Sequence, residues 1–443
     1  MFTTACAAAL ALGLPSQASA RADPAAVAAA IEDAGAPREV RAFYRARDFR
    51  PLWVRDGAVG PEGDMLLRLI ETAGLDGLDP DDYRPRALAD ALDRAAEGSP
   101  KALARAEMAM SRSFAALARD MRRSRDLGIT YADAELRPAP SRMRDLLEEA
   151  AAAPSPAAHL DGLGWMSPLY ARLRQAAVNG PGLSDADPVA LERVRLNLDR
   201  ARALPAASFG GRYVLVDAAA QRLWMYEGGK PAGTMRVVVG KPSEPTPMMA
   251  ALIRYASVNP YWNIPPDLVR IRVAPGARKQ GASFLKAKRF EVLSGWTEDA
   301  RVVDPATVDW AAVEAGRIDA RVRQLPGPTN AMGRIKFMFP NEFGVYLHDT
   351  PEKALLKEAD RMQSSGCVRV EDAPRLARWL FGRPVPLKAS TPEKRVDLGE
   401  PVPVYITYLT AASDGTNLVY RPDLYNRDQE RLADIDYRRY AAR

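Results

Sequence analysis

Cysteine and histidine are scarce in this sequence. Its 443 residues contain two of each. Cys6 lies in an uncharged N-terminal stretch, so Cys367 would be the one thiol left after removal of that stretch. A single thiol forms no internal disulfide, and two histidines with one cysteine nearly exclude a structural zinc site. We therefore expect neither a metal nor another cofactor.

A strong excess of one charge is also lacking. The 62 basic residues are interleaved with 56 acidic ones, which leaves a net charge of +6. No motif combines aromatic and basic residues in the manner of an RNA-binding domain, so we do not expect nucleic acid as a partner. A mildly basic protein suits an anionic polymer such as the cell wall equally well.

Long apolar runs are missing outside the N-terminus. Residues 1–20 carry no charge, contain an apolar run from Ala5 to Leu14 and end in Ala18-Ser19-Ala20. This pattern predicts a secretory signal peptide, and the run is too short to span a bilayer. The basic residues that normally precede such a run are absent, which suggests a different translation start. We predict an exported protein without a transmembrane segment.

The first half of the mature chain predicts helices. Residues 21–200 are rich in Ala, Arg, Leu and Glu, and segments such as AEMAMSRSFAALARDMRR place apolar residues three to four positions apart. His159 lies in the Pro- and Ala-rich segment APSPAAHLDGLG with no thiol or acidic cluster beside it, and we expect it at the surface. We assign this domain a scaffolding role and no catalytic residue.

The pattern changes to strands after Phe209. RYVLVD, RLWMYEGGK and TMRVVVG are β-branched and aromatic runs, and Gly228-Gly229 predicts a hairpin turn. Farther on, Asp372 is placed to cap a helix that Gly382 ends. The expected fold class is therefore α+β and multidomain, with a helical N-terminal domain followed by a mostly-β domain.

The residues with the clearest chemistry lie between Tyr346 and Glu371. An apolar strand ends at His348, and nineteen residues later Ser365-Gly366-Cys367 forms a turn of small residues. A neighbouring imidazole can deprotonate a thiol, and amides in such a turn can stabilise an oxyanion. Arg369 would share the face of Cys367 in an extended chain, where it either binds a carboxylate or pairs with a nearby acid.

Each of these residues has a simpler interpretation. A lone cysteine is more often a small buried apolar residue, and a lone histidine is more often part of the core. The combination of His348 with SSGC and Arg369 favours catalysis. Trp262 and Asn341 are either structural residues or part of a cleft. A papain-like protease is disfavoured because its thiol precedes its histidine along the chain.

His348 followed by SSGCVR resembles the catalytic signature of the YkuD-type L,D-transpeptidases, periplasmic cysteine enzymes that cross-link peptidoglycan. The blocks MRVVVGKPSEPTP, NPYWNIPPDL and LPGPTNAMGRIKFMFPN resemble the large subgroup that has an N-terminal scaffold domain, as in YcbB-like proteins. The resemblance implies a catalytic domain over residues 205–411, a lid insertion over about 266–330, and a tail over 412–443 that packs on it. The segment between the helical and catalytic regions is too short for the peptidoglycan-binding module common in this subgroup.

The resemblance also implies a reaction. Cys367 would attack a tetrapeptide stem, His348 would act as the base, and Gly366 with Ser365 would help to stabilise the oxyanion, giving 3-3 cross-links. Many family members have histidine at the position of Ser365. The same acyl-enzyme could instead be resolved by water or by a lipoprotein lysine, and a non-catalytic wall-binding scaffold is a further alternative. The implied substrate-binding residues are Arg369, Tyr346, Trp262 and Asn341, the implied partners are peptidoglycan stem peptides with possible other cell-wall enzymes, and the implied location is the periplasm.

Overall fold

The computed structural model describes residues 22–180, 188–205, 210–297, 299–429 and 432. These residues form two compact units. The first contains the described residues up to Arg122 together with Ser141–Trp165, and the second contains Arg123–Pro140 and the residues from Met166 onward. The predicted signal peptide, with Cys6, lies outside the described residues. In these residues no helix is long and apolar enough to cross a membrane.

Helices make up most of the first unit. They and one short hairpin are α1 (Pro24–Asp33), α2 (Arg38–Arg45), β1 (Val54–Arg55), β2 (Ala58–Val59), α3 (Glu62–Glu71), α4 (Pro85–Ala95), α5 (Pro100–Arg122), α6 (Met143–Ala152) and α7 (Pro156–Asp161). Proline is the first residue of α1, α4, α5 and α7, where its missing N–H costs nothing. Along α5, Met110, Phe114 and Leu117 are completely buried at the predicted spacing of three to four residues. The predicted helical domain is thus confirmed.

The prediction that His159 lies at the surface is wrong. Part of that Pro- and Ala-rich segment forms helix α7, and the Ser155 hydroxyl caps this helix by accepting a hydrogen bond from the Ala158 N–H at 3.0 Å. This helix places His159 against the rings of Phe114 and Trp165, with centroids 6.0 and 5.4 Å away. His159 is buried, and burial lowers the pKa of its imidazole.

The second unit is dominated by strands. Its first elements are β3 (Thr130–Tyr131), α8 (Pro168–Asn179), α9 (Pro188–Arg202), β4 (Arg212–Asp217), β5 (Arg222–Glu227), β6 (Lys230–Gly240) and β7 (Met249–Val258). An insertion follows with β8 (Trp262–Ile264), α10 (Pro266–Leu268), a π-helical turn (Val269–Val273), α11 (Ala274–Gln280), α12 (Ala282–Lys288), β9 (Phe290–Leu293), β10 (Val302–Val303), α13 (Trp310–Glu314) and β11 (Arg321–Gln324). The last elements are β12 (Ile335–Met338), β13 (Leu347–His348), β14 (Met362–Ser364), β15 (Val368–Val370), α14 (Ala373–Phe381), β16 (Lys394–Thr407), β17 (Ala411–Ser413) and β18 (Leu418–Tyr420). Short 3-10 helices cover Ala73–Asp76, Pro80–Tyr83, Ala134–Leu136, Pro305–Thr307 and Lys353–Lys357.

The main sheet closes on itself. Eight of its strands follow the order β12-β13-β15-β6-β5-β4-β16-β7, and β12 pairs again with β7; β3 also pairs with β7, and β14 pairs with β6. Most neighbours are antiparallel, whereas β13 with β15 and β16 with β4 are parallel. Gly228 and Gly229 connect β5 to β6 with φ values of 55° and 75°, which confirms the predicted hairpin turn. The main core contains inward residues of this sheet together with the apolar face of α14.

Helix α14 begins and ends where the sequence predicts. The Asp372 carboxylate accepts a hydrogen bond from the Arg375 N–H at 3.0 Å, and Gly382 adopts the left-handed conformation with φ 65°. Strand β15 begins immediately after Cys367, and α14 follows this strand directly. The packing of α14 against the core therefore helps to hold β15 in place.

The insertion has a core of its own. Strands β10, β9, β11 and β8 form a four-stranded antiparallel sheet, in that order. Val269, Val273, Ala277 and Val322 pack together in its apolar cluster. The first half of this insertion consists of short helices. The role of this insertion as a lid stays a prediction.

Candidate active site

Four of the predicted site residues share one face of the main sheet. In the parallel pair β13–β15, Leu347 is opposite Val368 and His348 is opposite Arg369. Leu347 and Val368 are completely buried in the core, so His348 and Arg369 point to the other face. Tyr346 and Cys367 lie one position earlier on each chain, and the Val368 N–H donates to the Tyr346 carbonyl at 3.1 Å. The alternation therefore places Tyr346, His348, Cys367 and Arg369 side by side.

Gly366 gives the turn before Cys367 its shape. Its φ of 99° lies in a region that side chains strongly disfavour, so glycine is required here. Within the part of the chain that the structure describes, neither the Gly366 N–H nor the Cys367 N–H donates a hydrogen bond. Two unused donors beside a thiol are what an oxyanion site needs.

Thr246 holds this turn, although no motif along the chain marked it as a site residue. Its side chain is completely buried. The hydroxyl donates to the Gly366 carbonyl at 2.9 Å and accepts from the Gly240 N–H at 2.8 Å. The turn is further fixed by the Ser364 hydroxyl, which donates to the Cys367 carbonyl at 2.6 Å.

Residues near the C-terminus support Thr246 from behind. The Tyr425 hydroxyl donates to the Gly240 carbonyl at 2.6 Å and accepts from the Thr246 N–H at 3.4 Å. Arg427 donates to the Thr246 carbonyl at 2.8 Å. The tail thus contacts the catalytic turn through one residue. Most of the charged segment RDQERLADIDYRRY, at the end of the predicted tail, falls outside the described residues.

Cys367 is a free, partly exposed thiol. Its sulfur lies 3.7 Å from the Gly344 carbonyl, to which it donates. Removal of the thiol from water raises its pKa to about 11, against smaller opposing effects of the Tyr346 N–H and of the Arg369 and Lys336 charges. In this state the side chain is a neutral thiol and not a thiolate.

His348 is buried, with 1% of its surface exposed. Its Nδ1 lies 2.6 Å from the Asp349 carbonyl oxygen. A carbonyl only accepts, so Nδ1 carries the proton and Nε2 is the basic nitrogen. Burial, with help from the charge of Arg369, lowers the pKa of the imidazole to about 3. His348 is therefore a neutral base, oriented by the backbone.

Arg369 forms an ion pair with Glu352 across its face of the sheet. The guanidinium side chain is 14% exposed, whereas the Glu352 side chain is 61% exposed. This is the structural alternative that the sequence left open. The ion pair does not exclude the predicted binding of a substrate carboxylate by Arg369, because such a carboxylate could displace the exposed Glu352 side chain at modest cost in free energy. That binding role stays a prediction.

Ser365 contacts the insertion, a connection that the sequence did not reveal. Arg272, in the π-helical turn, donates from Nη2 to the Ser365 hydroxyl at 2.8 Å. Glu244 lies beside this pair and forms an ion pair with Lys241 at 2.7 Å. Burial opposes ionisation of Glu244, yet Lys241, Ser365 and Arg272 together hold the pKa of this carboxyl below its usual range. Ser365 therefore links the turn to a cation.

Asn341 lies near the thiol but directs its amide to its own loop. The side-chain nitrogen donates to the Phe339 and Val345 carbonyls, both at 2.7 Å. The side-chain oxygen accepts from the Phe343 and Val345 N–H groups at 3.1 and 3.2 Å. These bonds shape the loop that carries Gly344, the acceptor of the Cys367 thiol. They give Asn341 a positioning role, and a direct substrate contact stays a prediction.

The two aromatic candidates occupy different environments. Tyr346 is partly buried, with its ring 6.0 Å from that of His348 and 5.9 Å from the Lys336 ammonium group. Trp262 lies on β8, opposite Gln324, and packs against the core of the insertion. Tyr346 therefore belongs to the cluster around Cys367, and Trp262 is not part of that strand pair.

Metal ligands do not cluster in the part of the chain that is described: no group of three or more His, Cys, Asp or Glu could hold an ion.

Comparisons with known proteins match two parts of the chain to family models. Residues 38–176 match a family model described as a Scaffold domain, and residues 211–404 match the YkuD model, described as an L,D-transpeptidase catalytic domain. A curated Haemophilus influenzae protein named "Putative L,D-transpeptidase" is 32% identical over 254 residues, which cover 56% of this chain and 50% of that protein. The chain thus spans about half the length of this curated relative.

Solved structures align over a smaller part of the chain. An L,D-transpeptidase from Mycobacterium smegmatis is 14% identical, covers 44% of this chain and 58% of its own, and has a TM-score of 0.23. The catalytic domain of the Enterococcus faecium L,D-transpeptidase, solved by NMR, is 20% identical over 44% of this chain and 95% of its own, with a TM-score of 0.20. The two family models and the curated relative show that the chain carries a YkuD-type L,D-transpeptidase catalytic domain after a Scaffold domain.

Proposed function

We propose that this protein forms 3-3 cross-links in peptidoglycan through an acyl-enzyme on Cys367. The observation that carries the proposal is the juxtaposition of a free thiol, a neutral imidazole and two unused N–H donors. We place the reaction in the periplasm, where ATP is absent. A new peptide bond there must reuse the energy of an existing one, which a thioester intermediate preserves.

The protonation states of Cys367 and His348 before the reaction indicate the order of the proposed proton transfers. Because Cys367 is a neutral thiol and His348 a neutral base, the proton moves from Sγ to Nε2 as the sulfur attacks the donor carbonyl. The N–H groups of Gly366 and Cys367 receive the oxyanion. When the C–N bond breaks, His348 returns the proton to the leaving amine. An acceptor amine then attacks the thioester carbonyl and loses its proton to His348. The C–S bond breaks as the new peptide bond forms, and His348 passes the proton to the departing sulfur, which regenerates the thiol.

The burial of His348 makes its charged form transient. Burial and the nearby Arg369 both disfavour the imidazolium, whereas the Asp349 carbonyl stabilises it through Nδ1. An imidazolium that is unfavourable in the enzyme is a strong acid, so it readily protonates the leaving amine. The same backbone carbonyl keeps Nε2 available for both steps.

Arg272 is our candidate for recognition of the donor. Its guanidinium donates a hydrogen bond to the hydroxyl of Ser365, two residues before Cys367. Two residues of chain span at most about 7 Å, so the Cα atoms of Ser365 and Cys367 lie within about that distance of each other. In a tetrapeptide stem the leaving residue ends in a carboxylate immediately beyond the broken bond. We propose that Arg272 binds this carboxylate and so favours tetrapeptides over donors that lack a free acid at that position.

Analysis of the products tests the proposed function against its alternatives. The wild type and Cys367→Ala would be incubated with a disaccharide-tetrapeptide, and the soluble products separated and fragmented. Dimers linked between two diamino acid residues, formed by the wild type alone, support the transpeptidase. Tripeptide without dimers would identify an L,D-carboxypeptidase, and products that require a lipoprotein peptide would identify an anchoring enzyme. Identical behaviour of the two proteins would leave a wall-binding scaffold.

A further inference from the structure

The first unit contains a broad groove that the proposed reaction does not use. Helices α1, α4 and α5 form its walls and enclose about 1160 Å³. Alanine is the commonest lining residue, at positions 26, 29, 30, 34, 87, 91, 104 and 109. Small side chains leave the groove wide and its floor apolar. All lining residues belong to the first unit, so the groove is complete without the catalytic unit.

Cations surround this groove in excess. Five basic residues and two acidic ones, Asp33 and Asp90, line it; the basic ones are Arg84, Arg94, Lys101, Arg105 and Arg112. Within the part of the chain that the structure describes, none of these five side chains forms an ion pair or a hydrogen bond. Cations without partners around one concave surface create a positive potential that attracts anions.

Arg112 marks the inner part of the groove. Its side chain is half-buried, and its Nε is buried without a hydrogen-bond partner among the described residues. Buried donors are normally paired, because an unpaired one costs about 1–3 kcal/mol. The other four basic residues are exposed and free to move toward a ligand. The groove thus combines one preformed donor with an adjustable cationic rim.

We propose that this groove binds the stem peptides of peptidoglycan. Stem peptides combine alanine methyl groups with free carboxylates, which complement an apolar floor and a cationic rim. The inference rests on the proposed function, because it takes the polymer of that reaction as the ligand. It gives the scaffold a binding role in a chain whose segment between the helical and catalytic regions is too short for a peptidoglycan-binding module.

Sedimentation with insoluble peptidoglycan tests this proposal without catalysis. All proteins would carry Cys367→Ala, so that no acyl-enzyme forms. The groove variant is Arg94→Glu with Arg105→Glu, and the matched control is Arg68→Glu with Arg86→Glu, which reverses two exposed charges of the same unit outside the groove. We expect the groove variant to bind about tenfold more weakly and the control to stay within about twofold of the parent. Thermal melting would check that both are folded.

A second matrix tests the chemistry of the ligand. Conversion of the carboxylates of peptidoglycan to amides should reduce binding of the parent to the level of the groove variant, and added salt should weaken binding to the untreated matrix. Equal binding of groove and control variants would overturn the proposal. Undiminished binding of the parent to amidated peptidoglycan would also overturn it. The same holds if the parent binds an acidic protein but does not bind peptidoglycan.

The proposed function would be judged separately, with the thiol restored. A groove variant that contains Cys367 should react with a small soluble tetrapeptide at the wild-type rate, because the groove belongs to the other unit. Loss of sedimentation with normal acylation therefore supports the groove. Absence of acylation in the wild type would refute the proposed function and leave the binding result intact.

Discussion

The protonation state of Cys367 leads to a quantitative prediction for its alkylation. With a pKa of about 11, roughly one thiol in 10,000 is ionised at pH 7, compared with about 3% for an ordinary cysteine. Iodoacetamide reacts with the thiolate, so Cys367 should react about 300-fold more slowly than a free cysteine at this pH. The rate should rise about tenfold for each pH unit up to about pH 10.

Intact mass spectrometry after timed quenching would measure this rate. Cys367 is the only cysteine if the predicted signal peptide is removed, so a single adduct reports on it. His348→Asn should leave the alkylation rate at pH 7 within about threefold, because the resting imidazole does not ionise the thiol. A rate that is already constant below pH 8, and that falls in His348→Asn, would refute the reasoning. It would show that the two residues rest as a thiolate–imidazolium pair.

Three further predictions concern Thr246, Arg272 and His348. Thr246→Val leaves the Gly240 N–H and the Gly366 carbonyl without their partner. We therefore expect the unfolding free energy to fall by about 2–4 kcal/mol and the acylation rate to fall more than tenfold. Thr246→Ser keeps the hydroxyl and should be nearly unaffected. Arg272→Gln should remove the preference for a tetrapeptide acid over its C-terminal amide and leave the amide rate unchanged, whereas Arg270→Gln keeps the preference; equal losses on both donors would exclude carboxylate recognition. Because the folded pKa of His348 is about 3 and the unfolded value about 6.5, the unfolded chain binds the extra proton between these values. Stability should therefore fall by up to about 1.4 kcal/mol per unit as the pH drops through that window, and less steeply in His348→Asn, as followed by urea titration.

Local signals in the sequence were sufficient for several elements. The Gly228-Gly229 turn and the two ends of helix α14 depend on residues close to one another in the chain. The same holds for the period of α5, which one apolar stripe determines. Such features need no knowledge of the tertiary structure, and they were predicted correctly.

The contacts that hold the turn before Cys367 could not be predicted from the sequence in the same way. Thr246 contacts Gly366 across 120 positions, and Tyr425 reaches Gly240 across 185. Only the closure of the sheet brings these segments together. Arg272 is one of 62 basic residues, and nothing in its neighbours along the chain distinguishes it. The cap at Ser155, in contrast, was a local signal that we overlooked, and it explains the error at His159.

Arg369 and Asn341 show a different limit. The residue type correctly indicated that the polar group of each side chain forms specific interactions. It did not indicate with which partner. Arg369 pairs with Glu352, seventeen positions away, and among the described residues the Asn341 amide bonds only the backbone of its own loop. Chemistry alone does not separate a residue that binds substrate from one that shapes the site.

The most direct measurement of the central proposal is the mass of the enzyme during turnover. Wild type, Cys367→Ala and His348→Asn would be mixed with a disaccharide-tetrapeptide, quenched in acid, and analysed intact and after digestion. The proposal predicts an adduct equal to the donor minus its terminal D-amino acid, located on Cys367, absent in Cys367→Ala and formed at least 100-fold more slowly in His348→Asn. Cross-linked product without an adduct on Cys367, or an adduct that forms equally fast without His348, would contradict it.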